Sequence, residues 1–96
     1  AFRARREPRD ALTWNHRGIV RHKRNDVAGA VQDFGHAVEI APVLANAWAN
    51  RALAHAGMGN PSAAVADARK AIEVATPNDP LRAQMEALLG VLGEKK

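Results

Sequence analysis

The chain has 96 residues, no cysteine and a formal net charge of +4, and 47% of its residues are hydrophobic although only 4% are aromatic. This length allows one domain at most, and the missing cysteines exclude a disulfide framework and thiolate metal sites. No apolar run reaches the roughly 20 residues of a membrane span and no signal peptide is visible, which favours the cytoplasm. Because the sequence begins at Ala1, an excised fragment stays an open alternative.

Residues 11–78 repeat with a period of 34 residues, and Trp14 and Trp48 mark the two copies. Other positions exchange similar apolar residues, as Ile19 does with Leu53. The identical pairs are Ala11/Ala45, Trp14/Trp48, Arg17/Arg51, Ala30/Ala64, Val31/Val65, Asp33/Asp67, Ala37/Ala71, Glu39/Glu73 and Ala41/Ala75. A period of this length indicates a repeated supersecondary unit, and such arrays are usually binding scaffolds rather than catalysts.

Two helices are predicted in the first copy. The first surrounds Trp14 and ends near Asn25-Asp26, which can cap the next helix. The second covers residues 27–40, where apolar residues recur at three- and four-residue steps. Pro42 ends it, because a residue before proline is pushed out of helical geometry.

The second copy repeats this pattern and is followed by a fifth helix. We expect helices at about 45–57 and from Pro61 onward, with a glycine-rich turn between them. Asp79 is a plausible N-cap for the fifth helix, with Pro80 just inside it. One apolar face of that helix carries Leu81, Met85, Leu88, Leu89 and Leu92.

Four segments follow from this pattern. They are a basic N-terminal segment at 1–10, compatible with the end of an earlier helix, a first unit at 11–44, a second unit at 45–78, and a capping helix and tail at 79–96. Two units alone are marginal in stability, so the fifth helix is expected to cover the second unit. Trp14 would then face outward at the N-terminal end, unless residues 1–8 fold over it or another copy of the chain covers it. We therefore expect either a longer array that has been truncated or self-association through that end.

These residues resemble the tetratricopeptide repeat, a helix–turn–helix unit of 34 residues, in the variant common in bacteria. In the first unit the matching positions are Trp14, Gly18, Ala30, Phe34, Ala37 and Pro42. Arg17 and Arg21 depart from the leucine and tyrosine of the pattern. In the second unit the matching residues are Trp48, Ala64 and Ala71, whereas Ala52 and Ala68 replace the glycine and phenylalanine. The resemblance implies an all-α, right-handed solenoid stack in which Gly18 and Ala52 face Ala30 and Ala64 at the closest helix contacts.

The resemblance also implies a function: a protein-interaction module whose first helices line a concave groove for a peptide or a partner helix. On this sequence the groove residues are Leu12, Asn15, His16, Ile19, His22, Lys23, Asn46, Ala49, Asn50 and Leu53. Asparagine amides suit a peptide backbone because each can donate and accept a hydrogen bond. The other interpretation is that these are ordinary solvated helix residues.

A basic rim at His22, Lys23 and Arg24 makes an acidic partner possible. Some family members hold a terminal carboxylate with a Lys/Asn/Arg clamp. Here only Asn50 matches that clamp, with Asn15 and Ile19 at other clamp positions, so chaperone-tail binding is not favoured.

The chemical alternatives have little support. His16 and His22 are six residues apart and lie on different helix faces, so no metal or other cofactor is expected. No nucleophile motif or phosphate-binding glycine loop is present, so no enzymatic activity is expected. The repetition of Asp33 and Asp67 explains them as packing or surface residues. Arg17 and Arg51 recur in the same register and can reach either these aspartates or helix-end carbonyl groups.

Two binding alternatives stay open besides the groove. The basic excess of residues 1–25 could contact nucleic acid or an anionic surface, although no aromatic residues are interleaved for base stacking. The second alternative is a homo-oligomerising adaptor that pairs through its uncapped N-terminal surface.

Overall fold

The computed structural model describes residues 10–93, and these residues form five α-helices and no strand. The helices are α1 (Ala11–Lys23), α2 (Val27–Ile40), α3 (Ala45–Gly57), α4 (Pro61–Val74) and α5 (Pro80–Val91). The predicted all-α class is therefore confirmed. None of the described helices is long and apolar enough to cross a membrane. The N-terminal arginines at positions 3–9 and the tail at 94–96 lie outside the described residues.

Side-chain caps start three of the helices. Asp10 accepts a hydrogen bond from the Thr13 N–H at 2.7 Å, Asp26 accepts one from Gly29 at 3.0 Å, and Asp79 accepts one from Leu81 at 3.0 Å. Each bond satisfies an N–H group that has no partner inside its helix. The helix α4 begins instead with a proline, whose missing N–H costs nothing at that position. Short polar residues in the sequence thus set the helix boundaries.

The five helices form two layers, and contacts between neighbouring helices of the same layer occur in only one of them. Within each unit α1 packs against α2 and α3 against α4, and between units α3 lies on α2 and α5 on α4. The helix α3 also contacts α1 on one side and α5 on the other, whereas α2 and α4 are not in contact. The array therefore curves, with α1, α3 and α5 on the inner side. We call these three helices the inner layer.

Small residues allow the helices of each unit to approach closely. A Cβ atom added to Gly18 would lie 2.5 Å from Cε1 of Phe34, which is fully buried. The sequence predicted Ala30 as the partner of Gly18, but the phenylalanine ring is its nearest neighbour. In the second unit Ala52 and Ala68 occupy the corresponding positions, and both are fully buried. In the first unit a glycine thus faces a large ring, whereas in the second unit an alanine faces an alanine.

The core between the two units contains both tryptophans. Trp14 is 7% exposed and packs with Ala11, Ala37 and Val38 of its own unit and with Ala47 of the next. The expectation that Trp14 faces outward is therefore wrong, because α1 turns it toward α2 and α3.

The fifth helix covers the second unit with the apolar face predicted for it. Leu81 and Met85 are buried there, and Leu88 and Leu89 pack beside them. This cluster also contains Ala45 and Ala49 of α3. The helix α5 therefore occupies, relative to α4, the place that α3 occupies relative to α2.

Candidate functional site

The groove residues predicted from the resemblance all lie on α1 and α3, at three levels of exposure. Leu12 and Leu53 are 67% and 43% exposed. The side chains of His16, Lys23 and Asn46 are exposed as well. Those of Ile19, His22 and Asn50 are half-buried, and Asn15 and Ala49 are buried. The inner layer therefore offers exposed apolar side chains beside polar ones.

Two of the predicted asparagines contact each other. The Asn50 side-chain amide donates a hydrogen bond of 3.0 Å to the side-chain oxygen of Asn15, which joins α3 to α1. An asparagine side chain has two donor hydrogens and an acceptor oxygen. This bond uses one donor of Asn50, which is only half-buried and so keeps an acceptor and a second donor. The pair fixes the orientation of the Asn50 amide at the surface.

Asn15 and Ala49 occupy equivalent positions in the two units, and both are buried. Asn15 is covered by α3, and Ala49 belongs to the cluster that contains Met85 of α5. The reason is that this position of each inner helix faces the following inner helix. Both side chains therefore lie beneath the exposed residues of the inner surface and are not part of its accessible layer.

The sequence prediction left out the continuation of this surface on α5. Gln84 and Ala87 follow Asn50 and Leu53 by 34 residues, and both are exposed. The same spacing that revealed the repeat would have identified them, if it had been extended beyond residue 78. The inner surface thus spans three helices rather than two.

Each unit contains a buried aspartate held by two basic residues of its inner helix. In the second unit Arg51 binds Asp67 through two hydrogen bonds, of 2.8 and 3.0 Å, and His55 Nε2 lies 3.7 Å from the same carboxylate. In the first unit Nε of Arg17 and Nε of Arg21 lie 3.2 and 3.3 Å from Asp33 Oδ2. The predicted contacts of Arg17 and Arg51 with the aspartates are confirmed.

These clusters account for the departures from the family pattern. Arg17 and Arg51 replace its leucine, and Arg21 replaces its tyrosine. A buried carboxylate without a partner is costly, so the aspartate and its basic partners are needed together. The pairing is better aligned in the second unit. In the first unit Asp33 Oδ2 accepts no well-directed hydrogen bond although both arginines are near it.

The same arginines also lie over the tryptophan rings. The guanidinium carbon of Arg17 is 5.4 Å from the Trp14 ring centroid, and that of Arg51 is 5.3 Å from the Trp48 centroid. His36 stacks on Trp14 with ring centroids 4.3 Å apart. Such contacts are electrostatically attractive and orient both groups. The tryptophans are thus structural residues, in agreement with the burial of Trp14 and the partial burial of Trp48.

One carboxyl group has a clearly shifted pKa. The hydrogen bond from the Thr13 backbone N–H, with a further contribution from the Thr13 side chain, lowers the pKa of Asp10 below its ordinary value. The charged form is favoured because it accepts this bond at the start of α1. Asp10 is exposed, and its titration therefore concerns the helix end rather than a catalytic centre.

The structure gives no cluster of metal-binding side chains within residues 10–93. No group of three or more His, Asp or Glu side chains there could hold a metal ion. A shallow cleft of about 350 Å³ lies between α4 and α5, lined by Pro61, Ser62, Val65 and Leu92. Its lining has no titratable side chain.

Comparison with known proteins agrees with this architecture. Residues 45–78, which comprise α3 and α4, match the sequence model of the tetratricopeptide repeat family. The chain is also 33% identical over 95 residues to protein FlbA of Caulobacter vibrioides. That alignment covers 91% of this chain but only 16% of the relative. Residues 45–78 are thus recognised as a tetratricopeptide repeat, a unit typical of protein-interaction modules, and residues 11–44 repeat it in sequence and in helix packing.

Proposed function

We propose that this chain is a non-catalytic interaction module that binds an extended peptide segment of a partner protein along its inner layer. One observation carries the proposal: the inner layer combines the exposed Leu12 and Leu53 with the oriented amide of Asn50. Apolar side chains supply contact area, and the amide supplies a donor and an acceptor for a peptide backbone. Peptide recognition uses this combination of backbone hydrogen bonds and side-chain contacts.

The helices provide this surface in a preformed state. Leu53 and Asn50 lie on one helix whose buried side packs against α2, α4 and α5. Binding therefore does not require the surface to be ordered first, which reduces the entropic cost of association. An inner layer of this kind suits recognition better than it suits chemistry.

Self-association through the N-terminal end is the alternative function. Its main support was an outward-facing Trp14, and that residue is 7% exposed within a single chain. The groove is therefore the better-supported site. Size-exclusion chromatography with light scattering tests the alternative directly, since a monomer has a mass of about 10.3 kDa.

A library of random dodecapeptides displayed on phage provides the probe for the groove. Enriched peptides are synthesised with a fluorescent label, and their affinity is measured by anisotropy. We expect Leu53→Ala to weaken binding about fivefold, because a partly exposed leucine contributes about 1 kcal/mol on burial. The matched control is Ile40→Ala, since Ile40 is 48% exposed but lies on the outer helix α2.

The proposal requires that Ile40→Ala leave the affinity unchanged. Equal effects of the two variants, or loss of affinity only with Ile40→Ala, would place the binding surface elsewhere. Enrichment of no peptide in repeated selections would contradict peptide recognition altogether. Circular dichroism of both variants shows whether either change alters the helix content.

A further inference from the structure

The acidic residues are distributed unequally between the two helix layers, since the inner layer contains Glu86 of α5 and the outer layer contains four acidic residues. Neither α1 nor α3 contains an aspartate or glutamate, although together they contain Arg17, Arg21, Lys23 and Arg51. The outer helices contain Asp33, Glu39, Asp67 and Glu73. The first two inner helices therefore present no negative side chain to a bound segment.

Part of this positive charge is compensated inside the molecule. Arg17 and Arg21 share Asp33, and Arg51 binds Asp67. These arginines are thus directed toward the carboxylates of the outer helices. Their role is explained by the buried aspartates.

The charge at the end of α1 is not compensated in this way. Lys23 and Arg24 are exposed and form no ion pair within residues 10–93. His16 is exposed and His22 is half-buried on the same helix. On α3 the exposed residues Asn46 and Leu53 are uncharged. The inner surface is therefore basic at α1 and neutral along α3.

We infer that the peptide bound by the inner layer is acidic, with its Asp or Glu residues placed over the end of α1 and its apolar residues over Leu53. This inference rests on the proposed function and adds the chemistry of the ligand and the placement of its acidic part. Opposite charges at the rim of an interface select the partner and raise the association rate. Because α1 is basic and α3 is neutral, the acidic part of the peptide is placed over α1 and its apolar part over α3.

A peptide fits these features better than a nucleic acid does. Binding of single-stranded nucleic acid uses exposed aromatic rings for base stacking. Of the described aromatic residues, Phe34 and Trp14 are buried, and the Trp48 indole is held by a 2.8 Å hydrogen bond to the Pro42 carbonyl oxygen. The exposed leucines of the inner layer instead match apolar side chains.

The peptides selected on phage test this inference. We expect them to be enriched in Asp and Glu, and replacement of these residues by Asn and Gln to weaken binding about tenfold. Lys23→Gln is expected to weaken the acidic peptide two- to fivefold, the usual effect of one exposed ion pair, and to leave its amide version unaffected. The difference between acidic and amide peptides should shrink at 0.5 M NaCl, where charges are screened over a few ångströms.

Lys70→Gln is the matched control, because it removes the same charge from the outer helix α4. Peptides that depend on Leu53 but bind equally well as amides would overturn the inference while the groove function stands. Failure to select any Leu53-dependent peptide would refute the groove function itself. A labelled 20-nucleotide single strand that binds more tightly than the acidic peptide, with loss on Lys23→Gln, would show nucleic acid to be the ligand instead.

Discussion

The contact between Gly18 and Phe34 makes the effect of Gly18→Ala predictable. Alanine is the better helix former and by itself stabilises a helix interior by about 1 kcal/mol. The new Cβ would lie 2.5 Å from Cε1 and 2.7 Å from Cδ1 of the ring, about 1 Å inside normal carbon contact. Phe34 is fully buried, so the ring is surrounded by other protein atoms. Overpacking of this kind costs up to about 3 kcal/mol, so we expect a net loss of about 2 kcal/mol.

The measurement is denaturant unfolding followed by circular dichroism, with thermal unfolding as a second probe. A loss of 2 kcal/mol corresponds to a fall of about 10 °C in Tm for a domain of this size. Gly90→Ala is the matched control, because a Cβ at Gly90 meets nothing within 4 Å. That variant should be more stable than the parent by up to about 1 kcal/mol.

A double-mutant cycle isolates the contact. In a Phe34→Ala background the ring is absent, as it is in the second unit, and Gly18→Ala should then stabilise by about 1 kcal/mol. All four proteins are compared in one buffer, with sucrose added if Phe34→Ala is partly unfolded. The same effect of Gly18→Ala in both backgrounds would refute the steric explanation, because the coupling between the two positions would be zero.

Three further predictions concern the remaining polar contacts. Arg51→Leu restores the leucine of the family pattern but leaves the buried Asp67 without its arginine, and we expect it to lower the unfolding free energy by about 2–4 kcal/mol. Adding Asp67→Ala in the same chain should largely reverse this loss. If it does not, the two residues are not coupled. Trp48→Phe removes the 2.8 Å indole hydrogen bond and should cost about 1 kcal/mol in urea unfolding, and an unchanged midpoint would mean that water replaces this bond without loss. The Thr13 N–H lowers the pKa of Asp10, so the carboxylate stabilises the fold at neutral pH and this contribution is lost as the pH falls below about 4. Asp10→Asn should therefore show a smaller loss of stability on acidification than the parent, and parallel pH curves would contradict the assignment.

The proposed site was predictable in part from the sequence. The resemblance to the tetratricopeptide repeat implied groove residues on α1 and α3, and the 34-residue spacing relates their positions on the two helices. It did not reveal that Asn50 bonds to Asn15, since that contact joins residues 35 positions apart through side-chain geometry. Nor did it show that Ala49 lies under α5, because burial depends on which helix packs beside it.

The sequence by itself determined the helices and their order. Caps and prolines act locally, so Asp26, Pro61 and Asp79 set helix boundaries that the structure reproduces. The pairing of Arg51 with Asp67 was also predictable, because the repeat preserves both residues in register.

Only the tertiary structure decided how the array of helices curves and which residues each side chain contacts. Contacts of α3 with both α1 and α5, without a contact between α2 and α4, define the inner layer. The orientation of Trp14 and the fit of Gly18 against Phe34 depend on the same packing. Packing depends on atoms brought together from distant positions, and no local pattern in the chain records their distances.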